Sequence, residues 1–148
     1  MIVRTLFSLL LGALLLPGTA VWAAPEIEVW KSPSCDCCTG WVEHLQDNGF
    51  EVTVKDTSPA MLDQIKRQAG ISDKLASCHT GKIDGYVIEG HVPAADIQRL
   101  VSEKPDAAGL TVPGMPIGSP GMEVDDKRQP YDVLLLRKYG ATEVFAKY

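Results

Sequence analysis

The chain has 148 residues, with 19 acidic against 14 basic side chains and a formal net charge of −5. That balance lacks the basic footprint by which proteins hold nucleic acid, and the length suits one domain with a single core. The four cysteines fall in two places only, Cys35, Cys37 and Cys38 in one cluster and Cys78 far downstream. Stapled secreted domains instead spread their cysteines so that bridges close separate loops.

At the N-terminus a lone Arg4 precedes an apolar run from Leu6 to Leu16 and a Pro17-Gly18 break. This is the grammar of a signal peptide, and cleavage after Ala23 would leave Val21 and Ala23 at the positions a signal peptidase reads. The run is shorter than the roughly 20 residues that a spanning helix needs. The expectation is a signal peptide over 1–23, a single domain over 24–148 with net charge −6 and no membrane span after cleavage, and a periplasmic location.

Glu26 to Trp30 alternates polar and apolar residues and reads as a strand, broken by Ser32-Pro33-Ser34. From Thr39 onward Trp41, Val42 and Leu45 recur at helical spacing until Asn48-Gly49, so the cysteine cluster sits at a strand-to-helix turn. Phe50 to Val54 reads as a second strand. Ser58-Pro59 opens a second helix with Met61, Leu62 and Ile65 on one face, closed by Gly70. Leu75 to Ile83 and Tyr86 to His91 pair as a hairpin around Asp84-Gly85, and Pro93 starts a third helix through Ile97, Leu100 and Val101. A Gly- and Pro-rich loop runs from Gly109 to Gly121, followed by a hairpin of Asp132 to Leu136 and Thr142 to Ala146. The order β-α-β-α-β-β-α, with a cysteine pair after the first strand, predicts an α/β, thioredoxin-like fold with an added C-terminal β-hairpin.

Cys35 and Cys38 are three residues apart and share one face of a helix start. Free N–H groups and the positive end of the helix dipole favour the thiolate there, the form that attacks disulfides and binds soft metals. Asp36 opposes this by adding a negative charge, a penalty that a bound cation would reverse. In a thioredoxin-like sheet Cys78 and His79, at the start of the third strand, and His91, after the fourth, return to the same edge. Thiolates with imidazoles and little carboxylate company select copper(I) or zinc. Met115 and Met122, both in the Gly/Pro-rich loop, favour copper(I), because thioether is a poor ligand for zinc. Some thirteen loop residues reach up to about 40 Å, enough to fold over the cysteine edge.

Four segments carry a resemblance: Cys35-Asp36-Cys37-Cys38-Thr39-Gly40-Trp41, Ala76-Ser77-Cys78-His79-Thr80, Glu89-Gly90-His91-Val92-Pro93-Ala94, and Pro113 to Glu123. Together they resemble the CopG-like periplasmic copper-resistance proteins over nearly the whole mature chain. The resemblance implies a thioredoxin-like fold whose redox site has become a site for several copper ions bridged by cysteine thiolates. It places Cys35, Cys37, Cys38 and Cys78 as thiolate ligands and His79 as a further one, with His91, Met115 and Met122 extended from these by position. The partners it implies are copper ions and other envelope copper-handling proteins.

Two other readings stand beside copper binding with cycling between Cu(I) and Cu(II). A thiol-disulfide oxidoreductase would use Cys35 to attack and Cys38 to resolve; Ser34, where such enzymes carry an aromatic residue, and the crowding by Cys37 speak against it. A structural zinc site is the third. One bridge from Cys78 to the cluster would leave two thiols unexplained. His44 reads as a partly exposed surface histidine rather than a ligand, Trp30 and Trp41 as core packing, and Glu123, Asp125 and Asp126 as a solvated turn.

Overall fold

The computed structural model of the protein describes residues 24–148, so the signal-peptide reading of 1–23 lies outside the described residues. The chain folds as β1 (Glu26–Lys31), α1 (Asp36–Asp47), β2 (Glu51–Asp56), α2 (Pro59–Gln68), β3 (Thr80–Ile83), β4 (Tyr86–Glu89), α3 (Ala94–Glu103), β5 (Gly109–Thr111), β6 (Asp132–Leu136) and β7 (Thr142–Lys147). All seven strands form one mixed sheet in the order β2-β1-β3-β4-β5-β6-β7. β1 and β2 are parallel across the α1 crossover, as are β4 and β5 across α3; the remaining neighbours are antiparallel. Among the described residues no helix is long and apolar enough to cross a membrane.

Alternation in β1 turns Ile27 and Val29 inward, both fully buried. Trp41, Val42 and Leu45 of α1, with Ile97 and Leu100 of α3, pack with them and with Ile88 and Leu110 into the main core. Val87 points to the opposite face from Ile88, where it meets Ile71 and Leu136 in a smaller cluster beside the end of α2. Asp84 and Gly85 both adopt positive φ, +47° and +83°, the geometry of the two-residue hairpin turn that this dipeptide predicts. The C-terminal hairpin is pinned to α3: the Tyr148 hydroxyl donates to Asp96 at 2.7 Å, and the Arg99 guanidinium lies 3.5 Å from the Phe145 ring centre.

Four expectations need correction. α1 begins at Asp36, not Thr39, so Cys37 and Cys38 lie in its first turn with Cys35 as N-cap. The third strand begins only at Thr80, leaving 75–79 as an irregular arm. The segment that reads as loop contains β5, three residues whose pairing to β4 and β6 outweighs their weak local signal. The buried face of α2 is Leu62 and Lys66; Met61 is exposed, and Ile65 is half-buried. A lysine is inside because an acid on β4 meets it.

Candidate metal centre

The register brings the functional segments to one edge of the sheet. Trp30, near the end of β1, lies opposite Thr80, the first residue of β3; Thr80 lies opposite Glu89, the last of β4; and Glu89 lies opposite Thr111, the last of β5. The turn to α1, the 75–79 arm, the residues after β4 and the loop after β5 therefore converge.

Cys35 and Cys38 are joined in a disulfide, and Cys37 and Cys78 are free thiols. The Cys37 sulfur lies 3.6 Å from that of Cys35 and 3.8 Å from that of Cys78. On the other side of Cys78, the Nε2 of His91 approaches its sulfur at 3.1 Å and the Nδ1 of His79 at 3.4 Å. The potential ligand atoms of Cys35, Cys37, Cys38 and Cys78 lie within 4.8 Å of one another, as do those of Cys78, His79 and His91. Cys78 is the member common to both sets.

The tautomers of the two imidazoles follow from their other bonds. A carbonyl only accepts, so His79 Nε2–H donates to Gly90 O at 3.0 Å and His91 Nδ1–H donates to Pro120 O at 2.8 Å. In each neutral ring the nitrogen facing Cys78 then carries the lone pair. This is the arrangement by which backbone carbonyls orient metal-ligating histidines. Burial holds His79 well below histidine's ordinary range and lowers His91 against the opposing effect of its Pro120 bond, so both stay neutral and able to ligate. Burial, reinforced by the neighbouring Cys37 sulfur, pushes the Cys78 thiol up to about 12. A cation at this point must displace that proton, and its charge supplies the drive.

The donor set is soft: sulfur and imidazole nitrogen, with the buried Glu89 carboxylate already taken by Lys66. It fits copper(I) or zinc and not a hard oxygen-seeking cation.

The loop after β5 folds over this edge as expected. Gly114 N–H donates to Ala76 O at 3.0 Å, Ser77 Oγ donates to Gly114 O at 2.5 Å, and Pro120 O meets His91. Gly121, at φ +81°, lies so close to α1 that a Cβ there would come 2.5 Å from Cys37 O. The two methionines are not drawn in to the same degree: Met115 is exposed, and Met122 is half-buried.

Sequence reasoning missed two contributors. His44 is partly exposed, as expected, but it also has a role that the sequence did not show: its Nε2 accepts from Ala94 N–H at 3.1 Å, capping α3. Lys66 and Glu89 form a buried ion pair behind the arm. The apolar-face rule discounted Lys66, and an acid ending a strand otherwise buried at every position but its first was the one available hint.

A family described as a protein of unknown function, DUF411, matches residues 75–122. No curated protein matches the chain. Two solved structures, named Copper resistance protein copG, Form 1 and Form 2, are each 44% identical to this chain, with a TM-score of 0.79, covering 84% of it and 98% of their own length.

Proposed function

This chain belongs to the family of the copper resistance protein CopG, and on that premise we propose that it is a periplasmic copper-binding protein of copper resistance. It holds one or more copper ions through Cys35, Cys37, Cys38 and Cys78, joined by His79 and His91. The single observation that carries this reading is the convergence on the Cys78 sulfur of two buried imidazole lone pairs from one side and the Cys37 sulfur from the other. Catalytic exchange between Cys35 and Cys38 needs none of these four residues. Copper(I) meets thiolate and imidazole on terms that zinc shares, and the exposed Met115 thioether on the covering loop would be a donor better suited to copper(I) than to zinc. Met122 belongs to the same reading as a second thioether near the edge.

We read β1 to α3 as a thioredoxin-like arrangement in which the start of α1 serves metal rather than protein disulfides. Oxidised and reduced forms differ in capacity. With the Cys35–Cys38 bond closed, Cys37, Cys78, His79 and His91 remain to bind; reduction adds two thiolates. Closing that bond from two thiolates releases two electrons, enough to convert two Cu(II) to two Cu(I) once, and each further turn needs an external thiol reductant to reopen the disulfide. Copper-loaded protein carrying Cys37→Ser or Cys78→Ser tests the assignment. Both variants lose copper against a competing chelator, and unaltered stoichiometry in both overturns it.

The disulfide itself favours a second reading, a thiol-disulfide oxidoreductase using Cys35 and Cys38. Reduction of insulin disulfides well above background by the reduced, metal-free protein would support it, and a background rate would eliminate it.

A further inference from the structure

Lys66 and Glu89 are both almost wholly buried, and their hydrogen bonds run to each other, to Ser77 and to Thr80 rather than to the sulfur or imidazole atoms described above. Burying two charges is costly in desolvation, and apolar replacements of such pairs are often neutral or stabilising. Stability alone therefore gives a weak reason for the pair, and its bonds supply a stronger one. Glu89 Oε1 accepts from Lys66 Nζ at 2.5 Å and from Ser77 N–H at 2.7 Å; Oε2 accepts from the Thr80 hydroxyl at 2.7 Å, which in turn accepts from Lys66 Nζ at 3.0 Å.

Ser77 and Thr80 flank Cys78 and His79. One carboxylate thus grips both sides of that dipeptide, in an arm that has no strand ladder of its own. The same residue ends β4 and leads through Gly90, whose carbonyl orients His79, to His91. Gly90 keeps the approach open: at φ +74°, a Cβ there would come 2.5 Å from the Ser77 Cβ. Lys66 fixes the carboxylate's orientation from α2.

We propose that the Lys66–Glu89 pair is a positioning device for the metal centre, setting Cys78, His79 and His91 in register with the cysteine cluster on α1. The inference deepens the copper-binding reading and rests on it for its consequence, though the placement it claims can be read without metal.

The test uses the reduced full-length mature protein with the double variant Lys66→Met/Glu89→Gln, which removes both charges together and strands neither. Thr80→Val, a milder change that removes one leg of the clamp, serves if the double variant does not fold. Copper(I) affinity against a chelator should fall about 10- to 100-fold, the range for groups that orient metal ligands, with the far-UV circular dichroism unchanged. In a Cys35→Ser/Cys38→Ser background without metal, the rate at which a short bifunctional thiol reagent bridges Cys37 and Cys78 should fall as well. Lys66→Arg, which keeps the charge and the donor, should recover most of both. A folded variant with wild-type affinity and wild-type bridging rate overturns the proposal. Wild-type protein that binds no copper yet loses bridging in the variant overturns the function and leaves the positioning standing.

Discussion

Cys78 is the residue on which the site turns, since it alone contacts both the cysteine cluster and the histidines. Its thiol, raised to about 12 by burial and by the Cys37 sulfur, stays protonated at neutral pH, so binding copper(I) there must release a proton. Calorimetry of copper(I) binding at pH 7 in two buffers of different ionisation enthalpy should show that release, and Cys78→Ser should reduce it by about one proton per chain. Equal release in the variant would move the proton source elsewhere. His79 and His91 act on stability in the opposite direction of pH. Both are held below their ordinary 6.5, so the unfolded chain takes up protons as pH falls through 6.5 while the folded chain does not. Their contribution is complete above that value and is lost as pH falls below it. The metal-free protein should lose melting temperature from about pH 7.5 to about pH 5.5, and His79→Gln/His91→Gln should flatten the loss. His44, also lowered by burial, leaves a residual slope.

At the scale of elements, the covering loop and the α3 cap make separable claims. His44→Ala removes the acceptor for Ala94 N–H and should cost about 1 kcal/mol in chemical denaturation, the worth of an ordinary helix cap. Its copper stoichiometry should match wild type; lost copper would make His44 a ligand. Gly121→Ala places a Cβ against Cys37 O and strains a positive φ, so the loop must lift from α1 and take the Pro120 carbonyl away from His91. We expect a loss of about 1–3 kcal/mol together with weaker copper retention. β1, α1 and the β3–β4 hairpin were legible because Ile27 and Val29 alternate, Trp41, Val42 and Leu45 keep helical spacing, and Asp84-Gly85 demands its turn. β5 was not, because three residues in a Gly- and Pro-rich stretch owe their conformation to neighbours on both sides. The burial of Lys66 is hidden from the sequence for the same reason: its partner lies 23 residues away, and no local pattern reports it.

For the whole molecule, the sheet order explains why so much of the site could be anticipated. A parallel β1–β2 pair with β3 antiparallel to β1 returns Cys78 to Cys35–Cys38 whatever the loop lengths, and the β3–β4 hairpin returns His91. Topology brings the candidate ligands to one edge, whereas the setting of the 75–79 arm, the tautomers, the closed Cys35–Cys38 bond and the exposure of Met115 depend on packing that sequence spacing does not encode. The same topology ties metal to stability, since a ligand bound only by the folded chain stabilises it by mass action.

The most direct measurement is copper per chain by native mass spectrometry on the mature, reduced protein, loaded anaerobically with copper(I) against a competing chelator, with zinc in parallel. We predict copper retained in preference to zinc, with more than one ion per reduced chain and fewer once the Cys35–Cys38 disulfide is closed. No retained copper, in a protein whose Cys35 and Cys38 oxidise readily and reduce insulin, would contradict the account and make the chain an oxidoreductase.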